Sequence, residues 1–190
     1  GGSHIIKEVN NDEYYVGDLS ALIIQKLPHW AEIIRVPKRS VALMDEWEEK
    51  IEKMAHSTIR HNVTSLSGVP SWTLLLLNRI LEITGEEHIL EVWPNLEVFF
   101  HGGVNFAPYR QQFENLIPNP DMHYRNTYNA SEGFFGLQEF NNRDELLLML
   151  DYGIFYEFIP MDELDKDQPR AIPLGEVEKD VNYAMVITTN

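Results

Sequence analysis

The residues of this chain best able to do chemistry lie in one stretch, Met122 to Gly136 (MHYRNTYNASEGFFG). It has an apolar, aromatic-rich lead-in, a small polar loop holding Ser131 and Glu132, and a glycine-punctuated aromatic exit. A strand that carries a hydroxyl and a carboxylate to its own C-terminal end forms a corner for nucleotide and metal, because open α/β sheets bind ligands in that crevice. A second candidate is Gly102-Gly103, after His101, where absent side chains let a ligand approach the backbone. A tight strand-to-helix turn explains the same pair equally well. His56 and His61 are five residues apart, without the i, i+4 spacing of a helical metal pair, and read as surface or helix-end histidines.

Composition narrows the classes of function. A chain of 190 residues that is 44% hydrophobic can build one packed core, so residues 1–190 read as a single α/β domain. The net charge of -15 argues against sequence-independent nucleic-acid binding, which needs clustered Lys and Arg. The longest apolar run, Trp72 to Leu77, is far shorter than the roughly 20 residues of a membrane-spanning helix, so no membrane partner is expected. With no cysteine, disulfides, zinc-thiolate sites and thiol catalysis drop out together, which fits a reducing compartment and a cytoplasmic location. Gly1-Gly2-Ser3-His4 reads as a tag remnant or a start in mid-protein, and the strand-like Tyr183 to Thr189 stops at Asn190. Both ends look cut.

Several elements must position the candidate residues. Asp18 is a good N-cap for a helix over Leu19 to Leu27, with Leu19, Leu22, Ile23 and Leu27 expected in the core until Pro28 ends it. A second helix is expected over Val41 to Met54, with Met44, Trp47, Ile51 and Met54 on one stripe. Thr64 to Pro70 reads as a small-residue loop. The helix after it starts at Pro70 or Ser71, ends at Gly85, and is apolar enough to be buried on more than one side. A short helix near Glu86 to Val92 precedes the turn Trp93-Pro94-Asn95. Next come a buried strand at Leu96 to Phe100 and a helix between Pro108 and Pro118, with Phe113, Leu116 and Ile117 inward. Strand, helix, strand over Leu96 to Asn129 predicts a parallel pair with a right-handed crossover. Toward the C terminus, Glu145 to Leu150 and Ile154 to Ile159 flank Asp151-Tyr152-Gly153 and read as a β-hairpin. Residues 161–180 form an acidic, proline-bearing surface linker. The predicted whole is a mixed, mostly parallel sheet with flanking helices and a β-hairpin near the C terminus.

Gly68-Val69-Pro70 before a long apolar helix, LEVFF with His101-Gly102-Gly103, and Tyr128-Asn129-Ala130-Ser131-Glu132 occur in the order seen in the acyl-adenylate-forming ligases. The longer blocks WPNLEVFFHGG, YNASEGFFG and LLLMLDYGIFYEFIP resemble the auxin-responsive acyl-acid amido synthetases and their bacterial relatives, over nearly the whole chain. The superfamily motif usually has glycine where Asn129 stands and threonine where Ser131 stands; the serine keeps the hydroxyl.

The resemblance implies an ATP- and Mg2+-dependent ligation of a carboxylic acid to an amine such as an amino acid. In it, Thr127 and Tyr128 belong to the nucleotide site, with Tyr128 on the adenine. Ser131 lies near the α-phosphate and Glu132 on the metal. Gly102 and Gly103 border the adenine and acyl pocket, and Val69, Pro70 and Trp72 line the acyl side. The pocket aromatics Trp72, Phe100 and Phe106 suit an apolar or aromatic acyl group as well as they suit a core. The family's Ser/Thr/Gly-rich phosphate loop is not found, nor the ribose-binding aspartate and C-terminal lysine lobe. The chain is therefore expected to be an internal segment of the large lobe, inactive alone and able to dimerise through its truncated edges. Two other readings stand beside this one: a non-catalytic acidic module that binds a small ligand or a protein, and a relative of the acyl-CoA synthetases.

Overall fold

Strand and helix alternate along most of the computed structural model, which describes residues 4–9, 12–141 and 143–189. The tag-like start at Gly1 to Ser3 lies outside the described residues, as does Asn190. The chain opens with an antiparallel hairpin of β1 (His4–Val9) and β2 (Asp12–Gly17), then α1 (Leu19–Gln25), α2 (His29–Ile34), α3 (Arg39–Ala42) and α4 (Trp47–Thr58). Asp18 caps α1 as expected, its carboxylate accepting the Ala21 amide at 3.0 Å. The expected burial of the α1 stripe does not hold: Leu22 and Ile23 are exposed, and Ala21 is the residue packed inside.

The helix expected over Val41 to Met54 is two. Glu46 stops the propagation because its carboxylate accepts the amides of Glu48 and Glu49, starting α4 afresh at Trp47. His56 forms an i, i+4 pair with Glu52 at 3.1 Å, and His61 is exposed.

Next follow β3 (Ser65–Gly68), α5 (Pro70–Thr84), α6 (Ile89–Val92), β4 (Val98–Gly102), α7 (Arg110–Leu116), β5 (His123–Ala130), β6 (Gly133–Gln138) and β7 (Leu146–Leu148). The segment read as a loop at Thr64 to Pro70 is thus mostly an edge strand. Small residues obscured it, because an edge strand exposed on alternate positions needs little apolar side chain. The helix α5 begins at Pro70 and ends on Gly85, whose φ of 75 is the left-handed cap position. It buries Leu74, Leu77 and Ile80, while Trp72 and Leu75 remain half exposed, so its burial is more one-sided than its composition suggested.

The five strands lie in the order β3-β4-β5-β6-β7. The pairs β3–β4 and β4–β5 are parallel; β5–β6 and β6–β7 are antiparallel. The sheet is mixed, with three of its five strands parallel, and the β4–α7–β5 unit supplies the expected parallel pair. Phe99, Phe113, Leu77, Ile80, Trp93, Leu96 and Ile117 form the core beneath it, each at most 1% exposed. The Trp93 indole N–H donates to the Thr58 carbonyl at 3.2 Å, tying α4 to this core.

A second sheet holds β8 (Ile154–Pro160), β9 (Ile172–Pro173) and β10 (Tyr183–Thr189), ordered β10-β8-β9 and antiparallel. The antiparallel strands expected near the C terminus are present, but their pairing differs. Residues 146–148 pair with β6 and residues 154–160 with β10 and β9, not with each other. The intervening turn redirects the chain at Gly153, φ 73, and the Tyr156 hydroxyl donates to the Met149 carbonyl at 3.1 Å across it. Phe135, Ile154 and Tyr156 form a smaller core where β8 meets β6.

Candidate active site

Strands β3 and β4 end next to each other while β5 runs on past them to Ala130, and the candidate residues lie along this side of the sheet. Gly68 pairs with His101 and Gly102 with Thr127, so Val69-Pro70, Gly102-Gly103 and Thr127-Tyr128 share one edge of the sheet. This is the strand-end crevice of an open α/β sheet. Gly102 is required there by its neighbour: a Cβ would lie 2.5 Å from the Thr127 carbonyl oxygen and 2.7 Å from the Thr127 hydroxyl. That hydroxyl donates to the His101 carbonyl at 3.0 Å, clamping β5 to β4. Gly103, φ 81, turns the chain out of β4, and a Cβ there would meet only Val69, at 3.7 Å.

Tyr128 is 49% exposed and stands edge-on to Phe135, ring centroids 5.2 Å apart, which leaves ring surface open. Phe135 is an extra residue in β6, where the register slips between Tyr128 and Asn129. Ser131 and Glu132 are both exposed and form the tip of the β5–β6 hairpin. At the usual strand rise the tip is about 13 Å beyond Thr127. An elongated ligand is needed to reach from the glycines to Glu132. No salt bridge joins Glu132 to Arg125 among the described residues; Arg125 instead contacts the His123 ring at 3.4 Å. No cluster of three His, Asp or Glu side chains suited to a metal occurs among the described residues. A single carboxylate fits magnesium, which is often held by one or two carboxylates together with substrate phosphates.

Beside the strand ends is a cavity of about 250 Å³ between β3, α4 and α5. Val69 and Trp72 line it, whereas Pro70 is buried as the first residue of α5. Trp47 packs on Trp72 with ring centroids 4.1 Å apart, and Ile51 and Met54 continue the wall, so the stripe seen in the sequence, Met44 apart, faces this cavity. Phe100 is partly buried, and Phe106 belongs to the core, stacked on His101 at 4.0 Å.

His101 is a feature that residue type alone did not reveal. It is 2% exposed, and neither ring nitrogen has a partner among the described residues. The period of two in VFFHG would have placed it inward with Phe99. Burial first, and the Arg110 guanidinium second, lower its pKa from 6.5 to about 4. A lowered histidine pKa gives stability that is complete above pH 6.5 and lost as the pH falls toward about 4, because the unfolded chain binds the proton first. His101→Phe, which keeps a ring on Phe106, is expected to be at least as stable at pH 7.5 and to lose less stability by pH 4.5, as read by urea unfolding at both pH values.

The model of the GH3 family N-terminal domain matches residues 3–122. The chain belongs to the GH3 family. The model of the GH3 family central domain matches residues 147–190. GH3 is the auxin-responsive acyl-acid amido synthetase family within the adenylate-forming superfamily, so the resemblance carried by WPNLEVFFHGG and LLLMLDYGIFYEFIP is to the family the chain belongs to, while YNASEGFFG lies between the two matched regions. Among solved structures, the GH3 chain is similar to a long-chain-fatty-acid-CoA ligase from Archaeoglobus fulgidus, with 17% identity and a TM-score of 0.40. The alignment covers 70% of this chain and 26% of the ligase, so the chain spans about a quarter of that protein's length. The search of curated proteins returned no match.

Proposed function

We propose that this GH3 chain forms the central nucleotide- and acyl-binding part of an ATP-dependent acyl-acid amido synthetase, which adenylates a carboxylic acid and passes the acyl group to an amine such as an amino acid. The observation that carries the reading is the placing of Val69 and Gly102-Gly103, at the ends of the parallel strands β3 and β4, beside Thr127-Tyr128 of β5. Tyr128 offers its exposed ring to the adenine, Ser131 its hydroxyl to a phosphate oxygen, and Glu132 its carboxylate to magnesium. Val69 and Trp72, with Trp47, Ile51 and Met54, receive an apolar or aromatic acyl group.

A substrate carboxylate and the α-phosphate of ATP are both anionic and repel each other. Magnesium, when bound, offsets that charge. The contribution of the chain is orientation: a rigid strand edge for the nucleotide beside a walled cavity for the acid. No nucleophilic side chain is required, since the substrate carboxylate attacks. The chain itself is inactive in this reading and acts within a longer ligase in the cytoplasm.

ATP–pyrophosphate exchange by the full-length ligase, with a panel of carboxylic acids, tests this. Exchange is expected to depend on an apolar or aromatic acid, and Trp72→Ala to raise the KM for that acid by about tenfold while leaving the KM for ATP unchanged, as loss of an apolar wall contact predicts. Exchange with none of the acids, or an effect of Trp72→Ala confined to ATP, would count against the reading.

A further inference from the structure

An apolar stripe with cations at both ends stands open on α2. Residues 26–39, KLPHWAEIIRVPKR, have four Lys or Arg and one acidic residue, Glu32, in a chain whose net charge is -15. Within them Trp30, Ile33 and Ile34 are 66%, 71% and 73% exposed. Their i, i+3, i+4 spacing puts them on one side of the helix. None of the residues of α2 is buried. A helix of 6 residues is not held by propensity alone and depends on what its apolar side packs against.

Glu32 is taken up by the cations of its own segment: Arg35 binds it at 2.8 Å, and Arg39 approaches to 3.7 Å. Lys26 and Lys38 are exposed and form no salt bridge among the described residues, so positive charge remains at both ends of the stripe. Acidic groups farther away than about 8 Å are largely screened at physiological salt, which leaves the local cations to decide what approaches. A second copy of the chain would set cations against cations. An acidic protein surface would pair the cations but offer nothing to Trp30 and the two isoleucines. An anionic bilayer supplies both, charged headgroups for Lys and Arg and an apolar boundary for the stripe, and tryptophan is enriched at that level. The contact is peripheral, since no helix among the described residues is long and apolar enough to cross a membrane.

We infer that residues 26–39 dock this chain on an anionic membrane surface, with Trp30, Ile33 and Ile34 in the boundary between headgroups and acyl chains and Lys26 and Lys38 among the headgroups. Ile34 also lines the cavity walled by Trp47 and Trp72, so docking brings the rim of that cavity to the lipid. The inference does not rest on ligase activity.

Vesicle co-sedimentation tests it, with the 190-residue chain and the full-length ligase, on phosphatidylcholine vesicles with and without about 30 mol% phosphatidylserine. Both proteins should bind the anionic vesicles at least about tenfold more tightly than the neutral ones. Trp30→Ser with Ile33→Ser should weaken that binding by about tenfold or more, and so should Lys26→Glu with Lys38→Glu. Urea stability should stay nearly unchanged in both double variants, because all four side chains are exposed. No binding, or equal binding to the two kinds of vesicle, would overturn the inference. So would binding by the 190-residue chain and not by the full-length ligase, because the rest of the ligase would then cover α2. Undiminished binding in either double variant overturns it as well, and should the serine variant fail to fold, the charge variant decides alone.

Discussion

Gly102→Ala is expected to destabilise the chain by about 2–4 kcal/mol, combining overpacking between two strands with the loss of one hydrogen bond. The added methyl would lie 2.5 Å from the Thr127 carbonyl oxygen, a backbone atom of a paired strand that no rotamer can move aside. Relief requires β4 and β5 to part at their C-terminal ends, which breaks the bond from the Thr127 hydroxyl to the His101 carbonyl. The same movement would misplace Gly103 and Tyr128, so in the proposed ligase weaker nucleotide binding should accompany the loss of stability. Gly153→Ala is the control: its φ is also positive, at 73, but no atom lies within 4 Å of the added carbon. It should cost only the left-handed backbone penalty of about 1–2 kcal/mol. Urea unfolding of the two variants separates clash from backbone strain, and a smaller loss for Gly102→Ala than for Gly153→Ala would contradict this description of the strand ends.

How far the sequence could be read follows from what each segment depends on. The helix from Pro70 to Gly85 was legible because Pro at the first turn and Gly in the left-handed position are local signals. The strand expected at Leu96 to Phe100 is found at Val98 to Gly102, two residues later, and the one at Tyr183 to Thr189 where it was expected, both legible from apolar and β-branched runs. Ser65 to Gly68 was missed because its strand character comes from pairing with β4, a partner some thirty residues away in sequence, and small residues carry no apolar pattern. The hairpin expected around Asp151-Tyr152-Gly153 went wrong for a related reason: a glycine turn says that the chain changes direction, and the partner is decided by which sheet edge is open.

Residue types singled out Gly102, Gly103, Ser131 and Glu132 as candidates and the resemblance added Thr127 and Tyr128, while the register of β4 with β5 explains why Gly102 and Thr127 meet. The distance of Ser131 and Glu132 out along the hairpin was not legible, since it depends on how far β6 pairs back along β5. His101 was hidden because nothing in its type distinguishes a buried, unpaired group from a satisfied one.

Glu132 at the hairpin tip bears most directly on the central claim. It is exposed, and its carboxylate makes no salt bridge among the described residues, so Glu132→Ala should leave the stability of the chain nearly unchanged. Its function in the proposed ligase is to hold magnesium against the phosphates, and removal of one such preorganised electrostatic group typically lowers a rate by about 10² to 10³. Glu132→Gln keeps shape and hydrogen bonding but removes the charge, and should lose nearly as much; excess magnesium should recover part of it. Acid-dependent ATP–pyrophosphate exchange by the full-length ligase, with wild type and Glu132→Ala compared across a magnesium titration, is the deciding measurement. A fall of at least about 10² at unchanged urea stability is the predicted result. Exchange at the wild-type rate and wild-type magnesium dependence would contradict the placement of the nucleotide and metal at this strand edge.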